Sequence, residues 1–284
     1  MNTRPFALLL CSALTAAAQP PAINTYAPPK ETTVLPTTSV DWDALPPKDT
    51  AVGQLRSVFD NPTRTLDKFE VHITTLKPGM ASHPPHRHAW EEMLLMKEGE
   101  VEVSLNGKKQ HAGPGSLIFY ASNDAHNATN VGTTPATYYV LNFVPASVHT
   151  ASDKSAAEQA VPGKLKSSIF DCDALATTPT PTGARVVVVN SPTLTFNQLE
   201  SHITTLNPGQ HTAPDMVDPG DEFVVIKSGT VEVTVNGVAT RMNAGSFAYW
   251  APNDKRGLRN LGATPASYQV IRVISDKSPK PAQP

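Results

Sequence analysis

The chain has 284 residues, of which 17% are charged and 39% hydrophobic, and its formal net charge at pH 7 is -2. This charge excludes the strongly basic surface that is typical of nucleic-acid-binding proteins. Short runs rich in Val, Thr, Ile, Tyr and Phe, separated by 27 prolines and 16 glycines, indicate strands joined by turns. The composition therefore predicts an all-β protein.

Residues 1–18 have the pattern of a signal peptide. Arg4 precedes an apolar run from Phe6 to about Ala16, and the small residues up to Ala18 favour cleavage before Gln19. The apolar run is too short to span a bilayer. We therefore expect a periplasmic or secreted protein without a membrane span.

An internal repeat decides the domain organisation. Residues 69–143 align without a gap with residues 199–273, and 29 of the 75 paired positions are identical. The repeat predicts two similar domains, each the size of an ordinary domain. The expected order is an extended arm (19–38), a first domain (39–147), a linker (148–167), a second domain (168–275) and a disordered, proline-rich tail (276–284).

Hairpins are predicted at equivalent places in both repeats. Residues 97–105 alternate between apolar and polar side chains, the pattern of a half-buried strand, and are followed by Asn106-Gly107. The copy, residues 227–235, ends in the same way at Asn236-Gly237. Asn-Gly after an alternating strand is the strongest short-range signal for a two-residue hairpin turn.

Four residues of the first repeat have the spacing of a metal site. Alternate residues of a strand share a face, so His86 and His88 both point inward. Glu92 follows after a short turn, and His126 adds a ligand from a distant segment. Three imidazoles and one carboxylate suit a divalent transition metal. Mn or Fe is the first choice, and Zn, Ni and Co are alternatives.

These residues also carry a family resemblance. The chain resembles the two signature motifs of the cupin superfamily, with one residue more than usual between the first glycine and the first histidine. The matching residues are Gly79, His86, His88, Glu92 and Gly99, followed by Gly115, His126 and Asn130. The resemblance covers nearly all of both repeats. It implies a bicupin with two tandem jelly-roll β-barrels and with metal held by His86, His88, Glu92 and His126.

The second repeat lacks this ligand set. The four equivalent positions hold Met216, Asp218, Glu222 and Arg256. Because Arg256 carries a fixed positive charge, we expect it to pair with Glu222 or Asp218 and so to replace the metal as counter-charge to the inward carboxylate. The alternative is that Asp218 and Arg256 lie on a solvated rim and that apolar side chains fill the interior.

The repeat also separates structural residues from candidate functional ones. His72 has a counterpart, His202, in the half without a ligand set, which favours a structural role for both. Cys172 occupies the position of Trp42 and is expected to be buried. It is also the sole cysteine after residue 18, so the mature chain has no intrachain disulfide.

Two further residues of the first repeat are candidates for catalysis. His83 and Tyr120 are ionisable, are not expected ligands and lie near the motif, although His83 is equally compatible with a mobile loop. Trp90, opposite Gly220 in the copy, either caps the mouth of the pocket or covers the surface.

The function is left open between two classes. The first is an exported metal-dependent enzyme acting on a small oxygen-rich molecule such as a carboxylate, ureide or diol. The chain is distantly similar to ureidoglycine aminohydrolase-type bicupins, although those keep the metal in the second barrel. Hydrolysis, decarboxylation and dioxygenation all remain candidates. The second class is a non-enzymatic module that binds a sugar or organic anion beside a structural metal. A homo-oligomer formed through the barrel edges is compatible with either.

Overall fold

The computed structural model describes residues 21–150, 152–213 and 215–280. The predicted signal peptide, residues 1–18, lies outside these ranges. In the described part of the chain, helical structure is limited to α1 (Ala156–Gln159) and to 3-10 turns at Trp42–Ala44, Ala146–Thr150 and Cys172–Ala174. None of these has the length and hydrophobicity needed to cross a bilayer. The all-β prediction is confirmed.

Strands account for most of the ordered backbone, and the equivalent strands of the two repeats have nearly the same bounds. Those before residue 150 are β1 (Ala22–Ile23), β2 (Thr38–Val40), β3 (Lys48–Asp49), β4 (Gly53–Asn61), β5 (Lys68–Leu76), β6 (His86–Arg87), β7 (Glu91–Glu98), β8 (Val101–Leu105), β9 (Lys108–Ala112), β10 (Leu117–Tyr120), β11 (His126–Asn130) and β12 (Ala136–Val144). Those after it are β13 (Ser168–Phe170), β14 (Thr177–Thr180), β15 (Gly183–Ser191), β16 (Gln198–Leu206), β17 (Asp221–Ser228), β18 (Thr230–Val235), β19 (Val238–Asn243), β20 (Phe247–Trp250), β21 (Arg256–Asn260) and β22 (Ala266–Ile274).

Each half is a jelly roll made of a large and a small sheet. The first half has the orders β13-β10-β7-β12-β5-β4-β3 and β1-β6-β11-β8-β9. The second has β14-β15-β16-β22-β17-β20-β2 and β19-β18-β21. The described strands form separate sheets and do not close into a continuous barrel, and the chain passes between the sheets through segments such as residues 77–85.

The central strand β7 shows how the pleat positions the site. Met93 and Leu95 face a core that both halves share. Leu94 and Met96 face the opposite way, into the interior of the first jelly roll. Glu92 has the same parity as Leu94, so it also faces that interior. Strand β17 repeats the pattern in the second half, with Phe223 and Val225 in the shared core.

The two halves exchange strands. β2, which precedes the first jelly roll, pairs with β20 of the second, and Ser39 lies opposite Ala248. β13, which precedes the second, pairs with β10 of the first, and Ile169 lies opposite Ile118. Each predicted domain therefore contributes its first strand to the sheet of the other. The domain boundaries predicted at residues 39 and 168 therefore do not coincide with the edges of the sheets.

The segments outside the repeats are more structured than the arm, linker and tail expected from the sequence. In the arm, β1 pairs with β6 and Leu35 is buried. The linker contains α1, whose capping box is formed by Ser155 and Glu158. In the tail, Lys277 Nζ lies 2.7 Å from Asp67 Oδ1, while residues 281–284 lie outside the described ranges.

A buried carboxyl group from each half receives hydrogen bonds from the other half. Glu91 accepts from the Thr193 hydroxyl at 2.5 Å and from the backbone N–H groups of Leu194 and Thr195 at 3.1 and 3.3 Å. Its counterpart Asp221 accepts from the Thr65 hydroxyl in the first half. Burial raises the pKa of Glu91 to about 7, although the hydrogen bonds that it accepts act in the opposite direction.

Because of the raised pKa of Glu91, we expect the free energy of unfolding to depend on pH. The Glu91→Gln variant should lack this dependence. The folded protein holds the Glu91 proton more tightly than the unfolded chain does. The contribution of protonated Glu91 to the free energy of unfolding is therefore fully present below pH 4.5 and is lost as the pH rises through about 7. We expect wild-type stability, relative to the variant, to fall by about 3 kcal/mol between about pH 4.5 and pH 8.

Urea unfolding across this pH range measures the effect. Glu98→Gln is the control, because the Glu98 side chain is 56% exposed. Parallel pH profiles for the wild type and Glu91→Gln would show that Glu91 does not titrate in this range.

Candidate metal centre

The four sequence-predicted ligands come from three strands and a turn. β6 carries His86 and β11 carries His126, and these two residues are register partners in the small sheet. His88 follows β6 by one residue, and Glu92 lies near the start of β7 in the large sheet. The candidate ligands therefore project from both sheets into the interior of the first jelly roll.

The three imidazoles form a compact group. Ring nitrogens of His86, His88 and His126 lie within 4.8 Å of one another, and all three residues are buried. Glu92 lies beside two of them, with Oε2 at 3.3 Å from His88 Nε2 and Oε1 at 4.0 Å from His126 Nε2. The predicted residues are thus brought together as a tight histidine triad with an adjacent carboxylate.

Backbone carbonyls orient two of the rings. His88 Nδ1 lies 2.9 Å from the carbonyl oxygen of Trp90, and His126 Nδ1 lies 2.8 Å from that of Asp124. A donating Nδ1–H leaves the Nε2 lone pair free to face the centre. His126 Nε2 is buried without a hydrogen-bond partner among the described residues. An orphaned imidazole nitrogen of this kind fits a metal ligand.

The electrostatics favour the metal-binding form of His86, His126 and Glu92. Burial, together with the neighbouring imidazoles, lowers the pKa of His86 to about 4 and that of His126 to about 3. Burial raises the pKa of Glu92, but the hydrogen bond with His88 and the nearby imidazoles outweigh it and hold the pKa at about 2. Two neutral imidazoles and a carboxylate at neutral pH suit a divalent ion.

Aromatic rings stack on two of the candidate ligands. The Trp90 ring is stacked on His88, with centroids 4.1 Å apart, and its Nε1–H donates to Asn142 at 2.8 Å. The Tyr120 ring is stacked on His126 at 4.1 Å. Trp90 therefore packs on the ring of a candidate ligand and lines the cavity, so it does more than cover the surface.

A cavity of about 400 Å³ opens over the four residues. Its deep wall carries the phenol groups of Tyr120 and Tyr138, whose hydroxyls are buried without a partner among the described residues. Leu94 and Val140 supply apolar surface. No lysine or arginine occurs among the described residues that line it. A bound ligand would therefore meet the histidine centre, neutral phenols and an apolar wall.

Both candidate catalytic residues line this cavity. Burial raises the pKa of Tyr120 well above its ordinary value, so this phenol is a hydrogen-bond donor rather than a base. The His83 ring lies edge-on to His86, with centroids 4.1 Å apart, and its Nδ1 is 3.0 Å from the carbonyl oxygen of Pro84.

The cavity also contains a residue that the sequence comparison set aside. His72, on β5, lines the wall together with the four ligand candidates. In the structure, His72 pairs in register with Val140, and Val140 pairs with Leu94 of β7, which faces the interior. The sequence signal is the alternation along β5, because Val71 and Ile73 face the shared core and His72 therefore faces the other way.

In the second half, an ion pair replaces the histidine triad. Arg256 Nη2 lies 2.6 Å from Glu222 Oε1, and both side chains are buried. Of the two predicted partners for Arg256, Glu222 is confirmed, because Asp218 pairs instead with Arg272. The sequence indicates this second pair, because the second repeat has Arg272 where the first has Asn142.

The second half has the same backbone arrangement at the equivalent positions, although the side chains differ. Met216 and Arg256 bridge each other as His86 and His126 do, with hydrogen bonds of 3.0 and 2.9 Å between their backbones. The cavity there is about 60 Å³. Among the described residues, the cluster of side chains that could hold a metal ion is the triad of His86, His88 and His126 in the first half. The expected burial of Cys172 is confirmed, with 2% exposure.

Comparison with known proteins agrees with this architecture. Oxalate decarboxylase from Bacillus subtilis at pH 4.6 has a TM-score of 0.63 and 16% identity, with 86% of this chain and 78% of that chain covered. A structure of the same enzyme used to assign the EPR parameters of its Mn(II) centres has a TM-score of 0.62 and 15% identity, with the same coverage. AerE from Microcystis aeruginosa has a TM-score of 0.60 and 13% identity, with 84% and 98% covered.

At these identities the structural likeness establishes the fold alone, and no curated protein matches the chain in sequence. The model of the cupin domain family matches twice, over residues 72–142 and 202–272. These matches together cover half of the chain, and the chain belongs to the cupin domain family as a bicupin with two tandem cupin domains.

Proposed function

We propose that this bicupin is an exported, metal-dependent enzyme that acts on a small oxygen-rich molecule at a His3Glu centre in its first half. The observation that carries the proposal is the buried triad of His86, His88 and His126 at the base of a cavity of about 400 Å³. Cavities of this size that combine apolar walls with a few convergent polar groups are typical of small-molecule sites.

The proposed cofactor is a divalent transition metal, with Mn or Fe first. The nitrogen and oxygen donor set is appropriate for such ions. The structurally similar oxalate decarboxylase of Bacillus subtilis has Mn(II) centres, which supports Mn as the first ion to test. Such an ion would supply Lewis acidity toward a chelating oxygen ligand. His86, His88, Glu92 and His126 would hold it.

The residues around the centre favour an enzyme over a passive binding module. The discriminating feature is an ionisable group, other than a ligand, that reaches the bound molecule. His83 and Tyr120 both line the cavity. The Tyr120 phenol, kept protonated by burial, would donate a hydrogen bond to an oxygen atom of the substrate. Because no lysine or arginine lines the described wall, a carboxylate substrate would depend on the metal for charge balance.

Turnover assays test the proposal. Protein loaded with Mn(II) or Fe(II) is incubated with three probe classes, namely oxalate, allantoate as a ureide and quercetin as a diol-bearing flavonoid, and products are followed by mass spectrometry. We expect turnover of one class by the wild type and its loss in His88→Ala. Binding of a probe without turnover in all three classes would support the binding module and contradict the enzyme.

The proposed location is the periplasm or the extracellular space, with cleavage after Ala18. Expression of the full chain in a bacterial host, followed by fractionation and sequencing of the protein's amino terminus, tests this. A protein that remains in the cytoplasm with residues 1–18 attached would contradict export.

A further inference from the structure

His72 has the surroundings of a proton-transfer group. Its Nδ1 lies 2.8 Å from Glu70 Oε1, on the same strand and the same face. A carboxylate that binds one ring nitrogen orients an imidazole and leaves the other nitrogen free to act. The ring lines the cavity of the ligand candidates, and the side chain is 26% exposed, so it can exchange protons with solvent.

Glu70 is itself held in place by a chain of contacts that leads to a ligand candidate. Its Oε2 accepts a hydrogen bond from Asn142 at 2.7 Å. Asn142 Oδ1 accepts from Trp90 Nε1 at 2.8 Å, and the Trp90 ring is stacked on His88. One chain of contacts therefore links His72 to His88 of the histidine triad.

The second half contains the same His-Glu pair, but there the glutamate has other partners. His202 Nδ1 lies 3.2 Å from Glu200 Oε1. Arg185 and Arg272 both pair with Glu200. Their counterparts in the first half are uncharged, Leu55 and Asn142. Among the described residues, Glu70 thus pairs with its histidine and with no arginine, whereas Glu200 pairs with two arginines beside its histidine.

We propose that His72, oriented by Glu70, is a catalytic residue that transfers a proton to a ligand seated at the His3Glu centre. The inference rests on the proposed function and deepens it. In the transfer, the Nε2–H bond of imidazolium His72 breaks, a new bond forms between that proton and an oxygen of the ligand, and the ring is left neutral. Solvent then returns the proton. Glu70 is a positioning residue that stabilises the charged ring.

The charges around His72 agree with this role. Burial lowers its pKa, but the hydrogen bond with Glu70 and the charges of Glu70 and Glu92 outweigh burial and the charge of Lys30, so the net pKa is raised. The Glu70 carboxylate, which does not belong to the candidate ligand set, therefore favours the imidazolium form of His72. Tyr120 differs from His72 because burial raises its pKa well above the ordinary value for a phenol.

The test compares His72→Asn with His202→Asn in the full mature chain loaded with Mn(II). Asparagine retains a side-chain N–H for the neighbouring glutamate but removes Nε2. The probe is 4-nitrocatechol, whose absorbance reports its ionisation and binding. We expect His72→Asn to weaken probe binding about tenfold relative to the wild type at pH 6 and by less at pH 8, because the ratio of the two affinities cancels the probe's own ionisation. His202→Asn should change binding less than about twofold.

Two further measurements separate the possible causes of failure. Both variants should retain wild-type Mn(II) content, and a wild-type chain that holds no metal would refute the proposed function and this inference together. In the protein loaded with Zn(II), NMR titration of the His72 ring should show a raised pKa that falls in Glu70→Gln. Equal effects of His72→Asn and His202→Asn on a metal-loaded chain, or no binding of the probe to it, would refute the role of His72 alone.

Discussion

Replacing Arg256 with methionine is expected to lower the free energy of unfolding by about 3–5 kcal/mol at pH 8, because Glu222 would be left as a buried, uncompensated charge. The Glu222 side chain is 6% exposed and Arg256 is its partner at 2.6 Å. Burial already raises the pKa of Glu222, with the guanidinium opposing this shift. The cost should therefore be smaller at pH 5.5, where Glu222 takes up a proton.

A double variant and a matched control make this prediction specific. Arg256→Met with Glu222→Leu should recover most of the lost stability, because neither charge is then buried. Arg259→Met is the control, since Arg259 lies on the same strand with an exposed side chain. Urea unfolding measures all four proteins. A loss below about 1 kcal/mol for Arg256→Met at pH 8 would show that Glu222 needs no counter-charge.

The second large effect is expected at the core that joins the two halves. Phe69→Ala should destabilise the protein by about 3–5 kcal/mol, the usual cost of removing a buried aromatic ring. The Phe69 ring is stacked on Phe143 at 4.5 Å and contacts Tyr249 and Phe223 of the second half at 5.5 and 6.2 Å between centroids. Because the halves also exchange β2 and β13, we expect them to unfold in one transition.

Hydrogen exchange at increasing urea concentration measures this cooperativity. Peptides from β5 and from β17 should lose protection together in the wild type and at equally lower urea in Phe69→Ala. Val187→Ala is the control, because Val187 is 59% exposed. Loss of protection in the first half alone would contradict a shared core and would indicate that the two halves unfold independently.

Local patterns explain why much of the fold was predictable. The Asn-Gly pairs adopt positive φ at both residues, 48° and 80° at Asn106 and Gly107, as a two-residue hairpin turn between β8 and β9 requires. Inward-facing and outward-facing residues alternate along β8 as expected. The four candidate ligands could be predicted because their spacing is itself a local pattern, which strand pleating converts into a common direction.

Features that depend on distant partners were not predictable. The pairing of β2 with β20 joins segments about 200 residues apart, and equivalent sheet edges exist in both halves, so the repeat does not choose between them. Asp218 was expected as a partner of Arg256 but is taken by Arg272 from another strand. His72 was set aside because His202 is its copy, although the two histidines differ in the partners of their glutamates.

Elemental analysis of the purified mature chain tests the central claim, a single metal centre in the first half, most directly. After loading with Mn(II) and removal of free ion, we expect about one ion per chain in the wild type and in Met216→Ala. His86→Ala and His126→Ala should each abolish binding. Two ions per chain, or one ion that persists in both histidine variants, would contradict the assignment of the site to His86, His88, Glu92 and His126.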